Sequence, residues 1–323
     1  MLDLVAGLGQ DDAVIALISG GGSALLCAPA DGMTLDDMRA VDAALLASGA
    51  PNSAMIVVRR HLSRVKQCRL AAACHPARLL SLLIPDVPGD DPAEIASGPA
   101  VGKTSTPAHA RAIVARYGID MPEPARRVLA RGASVIAPDD PRLAAAKTCI
   151  VAAPPRSLAA AAAATEALGI IVRRLGDAIE LEARDLAVVQ ARKALSLRAE
   201  ARSSGHPILF LSGGECTVTR RGDGVGGPNA EFVLAAALTL KGAPGIHVLA
   251  CDTDGVDGAA EVAGACAAPD TLSRARAHGI DPRDALDRND AHGCSAAVEG
   301  QIVTGPTLTN VNDFRAILIL PEA

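Results

Sequence analysis

Four short apolar runs, at residues 14–18, 79–84, 208–211 and 247–251, each stop in a polar or glycine-rich loop, and this recurrence constrains the fold more than any other feature. The loops are Ser19-Gly20-Gly21-Gly22-Ser23, Asp86-Val87-Pro88-Gly89-Asp90-Asp91, Ser212-Gly213-Gly214-Glu215 and Asp252-Thr253-Asp254-Gly255-Val256-Asp257-Gly258. Runs of this length suit buried strands, and the Ala- and Arg-rich stretches between them read as helices. Strands alternating with helices predict an α/β layered fold. In open α/β sheets ligands sit beyond the carboxyl ends of the strands, so the four loops mark where a ligand is expected.

A chain of 323 residues predicts two domains more readily than one or three. Arg202-Ser203-Ser204-Gly205 is the best linker candidate, dividing 1–202 from 203–323, with 145–202 left open to packing on the second domain. Thr34 reads as the N-cap of a helix through Ala47, with Asp36 and Asp37 at its positive end. A basic helix is predicted over 55–73, carrying Arg59, Arg60, His61, Arg64, Lys66 and Arg69. Further strands are expected at 148–152, 170–175 and 316–320, and helices at 158–168 and 180–201. The echo between Ser19-Gly20-Gly21 and Ser212-Gly213-Gly214 suggests one device used in both halves.

Composition removes several function classes. Half the residues are hydrophobic and 21% are charged, which is enough for a core and excludes disorder. One Tyr, three Phe, no Trp and a net charge of −5 argue against a nucleic-acid binder. No apolar run reaches the ~18 residues of a membrane span. Met1-Leu2-Asp3 opens no signal peptide, so a cytoplasmic protein is expected. The eight cysteines include no C-x-x-C pair and read as reduced thiols, not as zinc ligands or disulfides.

The loops carry the candidate chemistry. A glycine run after a strand leaves backbone N–H groups free to face a phosphate, and Ser19 to Ser23 fits that description as well as it fits a tight turn. It is neither a Walker A loop nor G-x-G-x-x-G. Asp252, Asp254 and Asp257 place three carboxylates in six residues; Mg²⁺ takes a few carboxylates plus substrate phosphates, while an Asx-turn with solvated acids is the simpler alternative. Glu215 stands near enough in the pattern to join the same ion. Arg59, Lys66 and Arg69 fall close to one face of a helix, suited to a carboxylate or phosphate or to plain solvation.

These loops together resemble one family. Ser19-Gly20-Gly21-Gly22-Ser23-Ala24-Leu25, Val58-Arg59-Arg60-His61-Leu62-Ser63, Asp86 to Pro92 and Ser97-Gly98-Pro99 are similar to the first domain of class II glycerate kinases, the glycerate 2-kinases often called hydroxypyruvate reductases. Ser212 to Glu215, Gly226-Gly227-Pro228-Asn229-Ala230-Glu231-Phe232, Asp252 to Gly255 and Thr304-Gly305-Pro306-Thr307 with Thr309-Asn310-Val311-Asn312-Asp313 resemble its C-terminal MOFRL domain. The resemblance spans almost the whole chain. It implies two Rossmann-like α/β/α domains with an active-site cleft between them, the first truncated at its N-terminus. It implies ATP- and Mg²⁺-dependent phosphorylation of D-glycerate to 2-phosphoglycerate. By the same resemblance, Arg59, Lys66 and Asp252 become catalytic candidates, and Ser19, Gly20, Gly21, Gly22, Ser23, Arg69, Gly213, Gly214, Asn229, Asn310 and Asp313 substrate or phosphate contacts. Glu215, Asp252 and Asp254 become the metal-side acids. The expected partner is a small-molecule substrate, with no nucleic acid and no membrane, and a homo-oligomer is left open.

The sequence also departs from the family. Family members begin with a further strand and a glycine-lysine loop, so no residue here takes that lysine's role. Gln67-Cys68 stands where the family has two glycines, Ile56 where it has Asn, Leu181 where it has Gly, and Lys103 where an acid is common. The loop Gly224-Val225-Gly226-Gly227-Pro228 carries no Arg. Two alternatives follow: an NAD(P)H-dependent hydroxypyruvate reductase, for which a dinucleotide fingerprint is missing, and a catalytically impaired remnant of the kinase family.

Overall fold

The computed structural model describes residues 1–85, 91–132 and 136–321. Two units divide between Val151 and Ala152. In the first, β1 (Ala13–Ile18), β2 (Arg78–Leu83) and β3 (Ala146–Ile150) form a parallel sheet in that order. Around it lie α1 (Leu2–Val5), α2 (Gly22–Leu25), α3 (Leu35–Ala47), α4 (Asn52–His61), α5 (Arg69–Cys74), α6 (Pro107–Arg116) and α7 (Glu123–Arg131). The expected cap of α3 is present as a full capping box: the Asp37 N–H donates to Thr34 Oγ1 at 3.1 Å, and the Thr34 N–H donates to Asp37 Oδ2 at 2.7 Å. Helices α3, α4, α6 and α7 bury a core of their own around Val41, Leu45, Val58, Met121 and Leu129.

The basic helix predicted over 55–73 is corrected to two helices. α4 stops at His61 and helical geometry resumes only at Arg69. Between them Gln67 and Cys68 adopt φ of +54° and +59°, a left-handed pair that no right-handed helix accommodates. The detour lets the Cys68 N–H donate to the Gly98 carbonyl at 2.8 Å and the Ala71 N–H to that of Pro99 at 3.2 Å.

The second unit begins with α8 (Pro154–Glu166), β4 (Ile171–Gly176), α9 (Ala183–Ser196), α10 (Arg198–Ser204), β5 (Ile208–Gly214), α11 (Pro228–Leu240) and β6 (Ile246–Asp252). It continues through β7 (Gly264–Ala267), α12 (Thr271–Ala277), α13 (Pro282–Asp287), α14 (Ala291–Ala297), β8 (Gln301–Ile302) and β9 (Asp313–Ile319). Its six strands run in the order β4-β5-β9-β6-β7-β8. The last strand of the chain enters antiparallel between β5 and β6, so this sheet is mixed. The register sets Asp313 opposite both Gly214 and Asp252, which brings three motif loops to one end of the sheet. Apart from Leu238 and Thr239, α11 is buried from Asn229 to Leu240 and packs on α9 and β6, as an apolar-all-round helix must.

The helix expected over 180–201 is likewise two, α9 and α10, parted at Leu197. Residues 202–204, read as linker, are the end of α10, and Gly205 closes it in the left-handed C-cap conformation at φ +67°. Segment 152–202 packs within the second unit. Among the described residues no helix is long and apolar enough to cross a membrane.

Candidate active site

In the first unit, Ser19 follows β1 and the chain turns through Gly20 and Gly21 into α2. Gly21 sits at φ +77°, and a Cβ on Gly22 would run into that of Ala96, so these two glycines have a steric reason. Ser23 Oγ lies 2.9 Å from Ser97 Oγ, which joins the turn to the Ser97-Gly98-Pro99 loop. From below, the Lys66 ammonium donates to the Ser23 carbonyl. Lys66 is 2% exposed, and burial, with Arg59 adding to it, pushes its pKa down to about 8.

The three cations expected on one face are separated. Arg59 Nε donates to Asp42 Oδ1 of α3 at 2.8 Å. Arg69 Nη1 donates to the carbonyls of Arg60 and Lys66, at 2.9 and 3.0 Å. Arg60, not predicted, is 1% exposed and donates to the carbonyls of Ala93 and Ser97. Of the three, Lys66 donates to the Ser23 carbonyl of the glycine turn, while Arg59 and Arg69 bind Asp42 and backbone carbonyls. His61 Nε2 lies 3.0 Å from Ser105 Oγ, and burial, with Arg69 and Arg60 adding to it, pushes its pKa down to about 4. Residues 86–90 of the acidic loop, including Asp86 and Asp90, lie outside the described residues.

The second unit ties its motifs into one buried hub. Asp257 accepts from the N–H groups of Asn229 and Ala230 at 3.0 and 2.8 Å, capping the start of α11 from another loop. Asn229 Nδ2 donates to Asp313 Oδ1 at 2.7 Å and to Asp257 Oδ1 at 3.3 Å. Asp313 Oδ2 accepts from the Cys216 N–H at 3.0 Å and from Arg315 Nη1 at 2.7 Å. Arg315 Nη2 donates to the Gly213 carbonyl at 2.6 Å. Burial raises the Asp313 carboxyl against the lowering pull of Arg315. Asn229 and Asp313, predicted as ligand contacts, are thus 1% and 4% exposed and bonded to one another.

Gly213 and Gly214 belong to β5, buried and paired with β9. A Cβ on Gly214 would overlap the Ile179 backbone, so close packing accounts for that glycine. Arg315 was not singled out by any motif; a charge inside the apolar run 314–320 was the available signal, since a buried charge needs partners.

Asp252 and Asp254 stand at the open end of the hub. The Asp254 N–H donates to Asp252 Oδ1 at 3.0 Å and the Val256 N–H to Asp254 Oδ1 at 2.8 Å, two successive Asx-turns. Asn310 Nδ2 donates to Asp254 Oδ2 at 3.2 Å, and Thr307 Oγ1 to the Thr253 carbonyl at 2.5 Å. Burial, with Asp254 and Asp313 adding to it, pushes the Asp252 carboxyl up to about 7. Among the described residues no three His, Cys, Asp or Glu side chains are arranged to hold a metal. Mg²⁺ needs only one or two carboxylates when substrate phosphates complete its shell, and the Asp252–Asp254 pair fits that demand; Glu215 is exposed.

The whole chain matches known structures. The crystal structure of glycerate kinase from Thermotoga maritima shares the fold at a TM-score of 0.89 and 32% identity, over 99% of this chain and 76% of that one. A Pyrococcus horikoshii crystal structure matches at 0.82 and 33%, over 100% and 74%. Fold and relatives together define an α/β enzyme of the transferase class. A D-glycerate 2-kinase of Thermotoga maritima is 32% identical over 320 residues, 99% of this chain and 75% of its own. An Agrobacterium vitis relative carrying a hydroxypyruvate reductase name is 53% identical over 317 residues, 98% of this chain and 72% of its own. The MOFRL family matches residues 208–313, and a domain of unknown function, DUF4147, matches residues 1–130. The chain belongs to the MOFRL glycerate 2-kinase family.

Proposed function

We propose that the protein transfers the γ-phosphoryl group of ATP to the 2-hydroxyl of D-glycerate with Mg²⁺ bound. The observation that carries this reading is the Asp252–Asp254 pair at the end of β6, joined by the Asp254 N–H to Asp252 Oδ1 at 3.0 Å, where burial and the neighbouring carboxylates push Asp252 up to about 7. A carboxyl raised by burial and like charges is stabilised when a cation displaces its proton. Asp252 and Asp254 would hold the magnesium, which neutralises charge on the transferring phosphoryl group. Asn310 and Val256 fix the Asp254 carboxylate, so the pair costs little reorganisation.

In this reading the turn after β1, where Ser19 and Gly21 are exposed, faces the phosphate or substrate oxygens. Lys66 and Ser97 hold that turn in shape. Arg59 and Arg69 act here as positioning residues, since their forks are committed to Asp42 and to two backbone carbonyls.

Phosphorus NMR on D-glycerate, ATP and Mg²⁺ with the pure protein tests the reading. A 2-phosphoglycerate resonance that grows with time is expected. NADH oxidation driven by hydroxypyruvate, without any phosphoglycerate, would replace it with the reductase reading; neither reaction would leave a family member without its chemistry.

A further inference from the structure

Helices α4 and α6 and the loop at 94–105 line an open surface pocket of about 570 Å³ within the first unit, inside the ~300–1,000 Å³ range of small-molecule sites. Val57, Ile113 and Tyr117 give it an apolar floor. Its charged lining is three cations, Arg60, Lys103 and Arg116, against one carboxylate, Glu94. Glu94 is already engaged: Oε1 accepts from Lys103 Nζ at 2.8 Å, and Oε2 lies 3.5 Å from Arg60. Lys103 also donates to Asp91 at 2.8 Å. Arg116, by contrast, has no acidic partner among the described residues. Its guanidinium lies over the Tyr117 ring, 5.4 Å from the centroid, which holds the fork in place at the pocket. His109, Ser53 and Thr104 add polar groups to the lining of the same pocket.

We propose that this pocket binds a phosphate monoester with a short apolar body. The apolar group would lie on Val57 and Ile113, and the phosphate would meet Arg116 and His109. An Arg fork with several neighbouring donors matches three phosphate oxygens better than the two of a carboxylate. The pocket is distinct from the glycine turn yet linked to it. Arg60, in the pocket wall, donates to the Ser97 carbonyl at 3.3 Å, and Ser97 Oγ meets Ser23 Oγ at 2.9 Å. Occupancy therefore bears on the loop that shapes the turn.

The chain carries one Tyr and no Trp, so Tyr117 emission reports the pocket directly. Titration with n-butyl phosphate is expected to change that emission saturably, with matching heat by calorimetry. Inorganic phosphate and pentanoate are each expected to bind about tenfold more weakly. Arg116→Ala is expected to weaken butyl phosphate about tenfold, and Arg116→Lys, which keeps charge without the fork, by less; an unchanged urea midpoint would confirm that both fold. No saturable change, equal binding of inorganic phosphate or pentanoate, or full affinity in Arg116→Ala would overturn the proposal. These readouts use no catalytic turnover, so they stand or fall independently of the kinase reading.

Discussion

The two Ser-Gly-Gly segments look alike in sequence and do different work. Ser19-Gly20-Gly21 lies beyond its strand, in an exposed turn held by Lys66 and Ser97. Ser212-Gly213-Gly214 stays within β5, buried, with Gly214 leaving room for the Ile179 backbone and the Gly213 carbonyl accepting from Arg315. What separates them is the neighbour on the far side. β9 pairs with β5 along its whole length, whereas β1 pairs with β2 alone among the described residues. The same short motif is therefore an exposed turn beyond one strand and a buried, paired stretch within the other.

The largest expected effect breaks the buried side of this comparison. Arg315→Met leaves Asp313 uncompensated inside the second unit, and is expected to cost about 3–5 kcal/mol in urea unfolding. Arg59→Met, whose partner Asp42 keeps 28% exposure, should cost about 1 kcal/mol. The glycines sharpen the contrast. Gly214→Ala forces a clash with the Ile179 backbone and is expected to cost about 3 kcal/mol or more, while Gly21→Ala pays only a left-handed penalty of about 1–2 kcal/mol. Equal costs would mean that the two segments are one device after all.

Much of the first unit's local structure was legible. Thr34 and Asp37 announced the start of α3, because capping is a contact between residues three apart. The strand ends at Ile18 and Asp252 were marked by the change from apolar to polar residues. The break between α4 and α5 was not legible from propensity, since Gln67 and Cys68 carry none of the usual signs of a left-handed pair. Nor could any local pattern reveal that β9 enters between β5 and β6, pairings between residues far apart in the sequence such as Asp252 with Asp313. That insertion turns Asn229 and Asp313 from expected ligand contacts into a hub, and it recruits Arg315.

Smaller effects probe the exposed side. Lys66 has its pKa lowered from 10.5 to about 8 by burial. Between those values the unfolded chain binds more protons, so folding stability rises with pH through this window and the penalty is complete below about 8. Wild type is expected to gain about 1–2 kcal/mol relative to Lys66→Met between pH 8 and pH 10. A flat difference would mean that Lys66 is solvated in the folded protein. Leu308, 94% exposed at φ +62°, buries nothing and strains its loop. Leu308→Gly should therefore leave the melting temperature unchanged or raise it, corresponding to as much as about 1 kcal/mol.

The most direct test of the account compares ADP release by wild type and Asp252→Asn, with D-glycerate, ATP and Mg²⁺, at equal urea midpoints. Glycerate-dependent ADP release in wild type, lost at least about a hundredfold in Asp252→Asn, is the expected result. Undiminished turnover in Asp252→Asn, or no glycerate-dependent release in wild type, would contradict the role given to the end of β6.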